Sequence, residues 1–238
     1  MGKYLYIAYQ YLIAIPLLIV LTLWTAVVTL IFFPCKRSKW LHGVQSFWSK
    51  CCCWLMFLPV KVEGTENLDP KQSYVFVANH QSMWDVFVIY GWLPQVFKWL
   101  MKAELKKIPF VGWACAAAGH IFVDRRSVRS GVASIKQVEK VLHGGVSTVI
   151  FPEGTRTQTG EVGTFKRGAF QVAMDLNLPV VPVALSGLYE LMPKGKFFLT
   201  WTPLSMRIGT PIHLTDFPDE KEGIEAVRDA VIKLKVGN

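Results

Sequence analysis

The 238-residue chain has no acidic residue before Glu63 and no charged residue at all from Tyr4 to Cys35. Only 18% of its residues are charged against 52% hydrophobic, and mean hydropathy is +0.32, which is apolar for a purely soluble domain. The uncharged run is long enough to be embedded in a bilayer, whose hydrocarbon core takes about 20 apolar residues as helix. It exceeds the roughly 7–15 apolar residues of a cleavable signal and is followed by no small-x-small cleavage site, so it is expected to be retained. The five cysteines, three of them adjacent at Cys51, Cys52 and Cys53, exclude a disulfide framework and lack the spaced pairs of a zinc site, which predicts a reducing compartment. The triplet adjoins a basic, aromatic stretch and reads as small apolar residues at a membrane surface, with palmitoylation as the alternative. Internal repeats and low-complexity segments are absent. So is any G-x-S-x-G elbow, which counts against a nucleophilic hydrolase.

What is present is basic: 26 Lys and Arg against 17 Asp and Glu give a net charge of +9. Such a balance suits nucleic acid, anionic lipid or a phosphorylated substrate. Five of the basic residues, Lys3, Lys36, Arg37, Lys39 and Lys50, lie in the membrane-like first part, and no nucleic-acid recognition motif occurs, so no nucleic-acid partner is expected. From Lys36 to Pro59, Trp40, Phe47, Trp48, Trp54 and Phe57 alternate with Lys and Ser, as in a helix at the membrane interface. The sequence therefore predicts a membrane-embedded or interfacial helical hairpin over 1–58. A single full span is the rival, and Pro16 and Pro34 do not decide between them.

After Pro59 short apolar runs alternate with amphipathic stretches, the pattern of an α/β domain over 59–238. Strands are expected at 60–64, 73–78, 96–100, 120–124, 147–152, 179–185, 197–200 and 205–208. A helix is expected from Val128 to His143, where Val128, Val132, Ile135, Val138 and Val141 recur at helical spacing before Gly144. The predicted fold class is α/β, with a mixed, largely parallel central sheet flanked by helices and the N-terminal two-helix membrane-associated segment.

The chemistry gathers at strand ends. The stretch YVFVANHQSMWDVF at 74–87 writes a buried strand and then His80 and Asp85. Ser82 and Asp85 have the form of a capping box, which by itself accounts for the aspartate. His80, however, follows a strand and precedes a helix, where open α/β sheets bind ligands. An aspartate bonded to one ring nitrogen fixes the tautomer and leaves the other nitrogen as a general base. FPEGTR at 151–156 again follows an apolar run and supplies Glu153, Gly154 and Arg156. Arg156 offers its fork of donors to a phosphate or carboxylate, and Glu153 could orient it or accept a substrate hydroxyl; the bland alternative is a surface turn. Asp124, Arg125 and Arg126, then Lys166 and Arg167, and Lys102 add cations at further strand exits, an arrangement that points to one anionic ligand.

These residues make the chain recognisable. Asn79 to Asp85 resembles the NHxxxxD motif of the glycerolipid acyltransferases, FVDR at 122–125 their second motif, FPEGTR their third and VPVAL at 181–185 their fourth. The resemblance runs from about Leu58 to Ser186 and is nearest to the 1-acylglycerol-3-phosphate acyltransferases; His120 departs from the glycine often found before the second motif. It implies acyl transfer from acyl-CoA or acyl carrier protein to the free sn-2 hydroxyl of lysophosphatidate at a membrane, with the active site on the cytoplasmic face and no cofactor or metal. It assigns His80 as base and Asp85 as its partner, and gives the glycerol-phosphate site to Lys102, Arg125, Glu153, Gly154 and Arg156. Another lysophospholipid or glycerol 3-phosphate as acceptor stays open, as does a lipid-binding protein without activity. Backbone amides near Ser82 to Asp85 are the expected oxyanion donors, and the small-residue stretch Val111 to Gly119 the expected neighbour of an acyl groove.

Overall fold

The computed structural model describes residues 2–33, 38–123 and 138–237. Helix α1 spans Lys3–Phe32 with a π-helical turn at Gln10–Ala14, and α2 spans Ser38–Leu55. The α/β part follows with β1 (Val60–Glu63), β2 (Val75–Ala78), α3 (Asp85–Trp92), β3 (Phe97–Lys102), α4 (Val111–Ala117) and β4 (Ile121–Val123). It continues with β5 (Ser147–Ile150), α5 (Gln171–Asp175), β6 (Val180–Ser186), α6 (Leu188–Leu191), β7 (Leu204–Ile208) and α7 (Glu220–Val236).

Among the described residues the strands form one sheet in the order β1-β7-β6-β2-β5-β3-β4, parallel at every pairing except β6 with β7. This is the mixed, largely parallel α/β sheet expected from the sequence. Its five parallel strands from β6 to β4 end along one edge, where such sheets bind ligands. Both faces are covered, which is why β2 is an unbroken apolar run rather than an alternating one. Phe76 and Ala78 pack with Leu185, Met206 and Ile208 against α1, α2 and α3. Val75 and Val77 face Phe170, Ala173, Val227 and Val231 of the α5 and α7 layer.

The two N-terminal helices belong to the first of these layers. Tyr6, Ala14, Cys52, Cys53 and Met56 lie in the same apolar cluster as β2 and α3. The Ser49 and Ser46 hydroxyls of α2 donate to the Phe87 and Gly91 carbonyls of α3 at 2.9 and 3.1 Å. Cys52 and Cys53 are fully buried, and burial pushes the Cys52 thiol up to about 12. Both therefore serve as packing residues, inaccessible to palmitoylation.

One expected strand is absent. Residues 197–200 form no strand, because the Leu199 backbone is used by a side chain: Gln10 Nε2 donates to the Leu199 carbonyl at 3.0 Å and the Leu199 N–H donates to Gln10 Oε1 at 2.9 Å. Gln10, buried in the apolar first turns of α1, thus latches a loop instead of a sheet edge. The helix expected from Val128 to His143 lies largely outside the described residues, as do Asp124, Arg125 and Arg126.

Candidate active site

Strand β2 ends at Ala78, and the next side chain, Asn79, is buried and ties this end to β6. Its amide donates to the Leu185 carbonyl at 2.9 Å and its carbonyl accepts from the Leu185 N–H at 2.7 Å. The first and fourth motifs are joined by that pair. His80 follows, with its side chain 20% exposed and its ring stacked on Phe151 at 4.1 Å between centroids.

His80 Nδ1 lies 2.6 Å from Asp85 Oδ2, which also accepts the Gln81 and Ser82 N–H groups at 2.6 and 3.0 Å. With Nδ1 donating to the carboxylate, Nε2 carries the lone pair and is directed away from Asp85. Asp85 is fully buried, and burial pushes its carboxyl above the usual range against the pull of His80 and the two amides. The capping-box reading is half met. Asp85 reaches back to the amides, but Ser82 lies outside the helix, donating from Oγ to the Met192 carbonyl at 2.9 Å. That bond and its complete burial keep Ser82 from acting as a nucleophile. The Gln81 and Ser82 amides are engaged by Asp85, so neither is free as an oxyanion donor.

The FPEGTR loop closes over His80 from β5, the neighbour of β2. Glu153 Oε1 accepts the His80 N–H at 2.8 Å and Oε2 accepts the Gly163 N–H at 3.1 Å, while the Thr157 N–H donates to the His80 carbonyl at 2.8 Å. Glu153 is thus a tie between loops, with burial raising its pKa against those amides, and it forms no ion pair with Arg156. Gly154 has φ +73°, a conformation costly for any other residue, and a Cβ there would stand 2.9 Å from Lys166 Nζ. Lys166 therefore lies over the loop, whereas Arg167 is bound to Glu220 by Nε at 2.8–2.9 Å. Lys194, which sequence reasoning missed, donates to Thr155 Oγ1 at 3.2 Å. Arg156 is half-buried in this loop. Lys102 stands exposed at the end of β3, two strands from β2, or about 10 Å at the usual strand spacing.

His120, the departure from the second motif, is a buried structural residue. Trp99 N–H donates to its Nδ1 at 3.2 Å, its Nε2 meets the Tyr90 hydroxyl at 3.2 Å, and Tyr90 donates on to Gln45. Asn79, Phe151 and the Ser82 link to Met192 also escaped sequence reasoning. Their partners are distant in the chain, and the motif context of Asn79 was the one signal available.

The fold and site define an α/β protein whose sheet edge carries a histidine with an aspartate on Nδ1, beside a basic loop. A family model described as Acyltransferase matches residues 59–186, and the chain belongs to that family. It is 34% identical over 193 residues to a 1-acyl-sn-glycerol-3-phosphate acyltransferase of Chlamydomonas reinhardtii, covering 81% of this chain and 57% of that one. It is 36% identical over 186 residues to a chloroplastic enzyme of the same name from Arabidopsis thaliana, covering 77% and 51%. The chain thus spans about half the length of these curated relatives. The crystal structure of the 1-acyl-sn-glycerophosphate acyltransferase PlsC from Thermotoga maritima superposes with a TM-score of 0.73 at 28% identity, covering 92% of this chain and 95% of that one.

Proposed function

We propose that this protein transfers a fatty acyl group from acyl-CoA or acyl carrier protein to the sn-2 hydroxyl of 1-acylglycerol 3-phosphate, giving phosphatidate. The observation that carries the reading is the 2.6 Å contact of His80 Nδ1 with buried Asp85, which leaves Nε2 open at the sheet edge beside the basic loop. In the reaction, Nε2 takes the hydroxyl proton as the alcohol oxygen attacks the thioester carbonyl. The tetrahedral oxyanion then collapses, the C–S bond breaks, and the imidazolium returns the proton to the departing thiolate. The thioester is already activated, so a positioned base worth roughly 10²–10⁴-fold and the holding of both reactants are sufficient in kind. No cofactor is assigned.

Arg156, Lys166 and Lys194 gather on the 151–156 loop and favour a phosphate monoester as acceptor, with Lys102 at the end of β3 as a further phosphate contact; Arg125, which the family resemblance also gives to the phosphate, lies outside the described residues. Glu153 and Gly154 hold the loop in shape. The acyl chain end fits the narrow cavity of about 90 Å³ between Thr25, Ala26 and Thr29 of α1 and Val111, Ala114 and Cys115 of α4. An acceptor panel tests the assignment: lysophosphatidate should be converted well above glycerol 3-phosphate and lysophosphatidylcholine. Equal rates with lysophosphatidylcholine, a phosphodiester, would remove the phosphate-monoester reading, and equal rates with glycerol 3-phosphate would remove the lysolipid as preferred acceptor.

The protein is proposed to act on a membrane from its cytoplasmic side, where acyl thioesters are made. Helix α1 is about 45 Å long by its rise per residue, and it buries Tyr6, Gln10, Ala14, Thr25, Ala26 and Thr29 along that length against the α/β domain. An upright span would draw the domain into the hydrocarbon. The arrangement favours α1 lying along one leaflet, with Leu5, Leu12, Ile19, Val20 and Trp24 turned outward.

A further inference from the structure

Segment 193–201 buries Leu199 in the core but turns its other large apolar side chains outward. Phe197 is 85% exposed and Trp201 54%, yet the segment is firmly held. Leu199 is latched by Gln10, Trp201 Nε1 donates to the Phe57 carbonyl at 2.7 Å, and the Thr200 N–H donates to the Leu191 carbonyl at 2.8 Å. Phe198 meets Tyr11 of α1 edge-on at 5.2 Å, which joins the segment to the outward apolar face of that helix. Between the two lies a groove of about 1030 Å³, with Ile7, Phe57 and Phe198 among its apolar walls and Lys3, Lys196 and Glu190 as its charged lining. Exposed aromatics beside lysines are the composition of a membrane interface rather than of a protein surface in water.

We propose that segment 193–201 is a second membrane-docking element, and that its groove with the first turns of α1 seats an anionic phospholipid of the bilayer. The lipid chain lies along the apolar wall, its phosphate meets Lys3 and Lys196, and Phe197 and Trp201 enter the interface beside it. The occupant follows from the continuity with α1 and from the lining charge, in which two lysines face one glutamate. The segment is also tied to the candidate site: the Met192 carbonyl before it accepts Ser82 Oγ, and Lys194 within it reaches Thr155. Docking therefore sets the sheet edge close to the leaflet. The proposal rests on the membrane reading above.

The test uses the full chain with the photoreactive residue p-benzoylphenylalanine replacing Phe197, and separately Leu12 or Lys221, in vesicles of phosphatidylglycerol and phosphatidylcholine. Irradiation should give phospholipid adducts at positions 12 and 197 and none at 221, which lies on the α7 face. Phosphatidylglycerol should dominate the adduct at 197. Lys3→Ala and Lys196→Ala should each weaken that capture about fivefold while leaving the adduct at 12. An adduct at 12 with none at 197 overturns the docking element. An adduct at 197 indifferent to lipid charge and to both lysines overturns the anionic seat. Absence at both 12 and 197 sinks the membrane reading itself, and the acceptor panel stands apart from all three.

Discussion

Asp85 performs two tasks with one oxygen, since Oδ2 receives both the His80 ring and the amides that shape the turn. Its burial raises the carboxyl pKa, so the folded state resists ionisation there. Stability from that group is fully present below the ordinary carboxylate range and is lost as pH rises through the raised value. Asp85→Asn should therefore unfold at the same or a higher temperature at neutral pH, with the difference from the parent narrowing in acid, while acyl transfer falls about 10²–10⁴-fold. Thermal unfolding across pH, set beside initial rates, checks both halves. At this scale the sequence made His80, Asp85 and the FPEGTR residues legible because each sits where an apolar strand stops. Asn79 and Lys194 were not legible as contacts: the partner of Asn79 is 106 residues away, and that of Lys194 39.

Among the elements, the middle of β3 and the residue before β4 are joined through the chain from Trp99 to His120, Tyr90 and Gln45. Burial, with Lys98 and His42 adding to it, holds His120 down to about 3. The folded protein thus binds fewer protons than the unfolded chain between about pH 3 and 6.5, and stability declines as pH falls through that window. His120→Gln should flatten the decline by on the order of 1.4 kcal/mol per pH unit, leaving the smaller contribution of His42. Urea unfolding at pH 7 and pH 4 measures it, and an unchanged slope would remove His120 as its source. The short buried strands were legible as apolar runs with Gly or Pro nearby. The 197–200 segment was not, because an apolar run has the same pattern whether it faces a core, a groove or lipid.

In the whole molecule, the hydrophobic N-terminal part and the α/β part share one core, although the change of texture at Pro59 suggested two units. Tyr6, Ala14, Cys52, Cys53 and Met56 cover the sheet face that holds Phe76 and Met206. A fragment of residues 59–238 should therefore expose that face and aggregate instead of folding, as judged by sedimentation and amide protection; a soluble, cooperatively folded fragment would contradict the shared core. The central claim is that His80, set by Asp85, deprotonates a lysophosphatidate hydroxyl. The most direct measurement is release of free thiol from acyl-CoA, and from acyl carrier protein, by the purified protein in vesicles with and without lysophosphatidate, for wild type and His80→Ala. The account predicts release that requires lysophosphatidate, yields phosphatidate and is lost in a folded, membrane-bound His80→Ala protein. Release without the acceptor, or substantial activity remaining in His80→Ala, would contradict it.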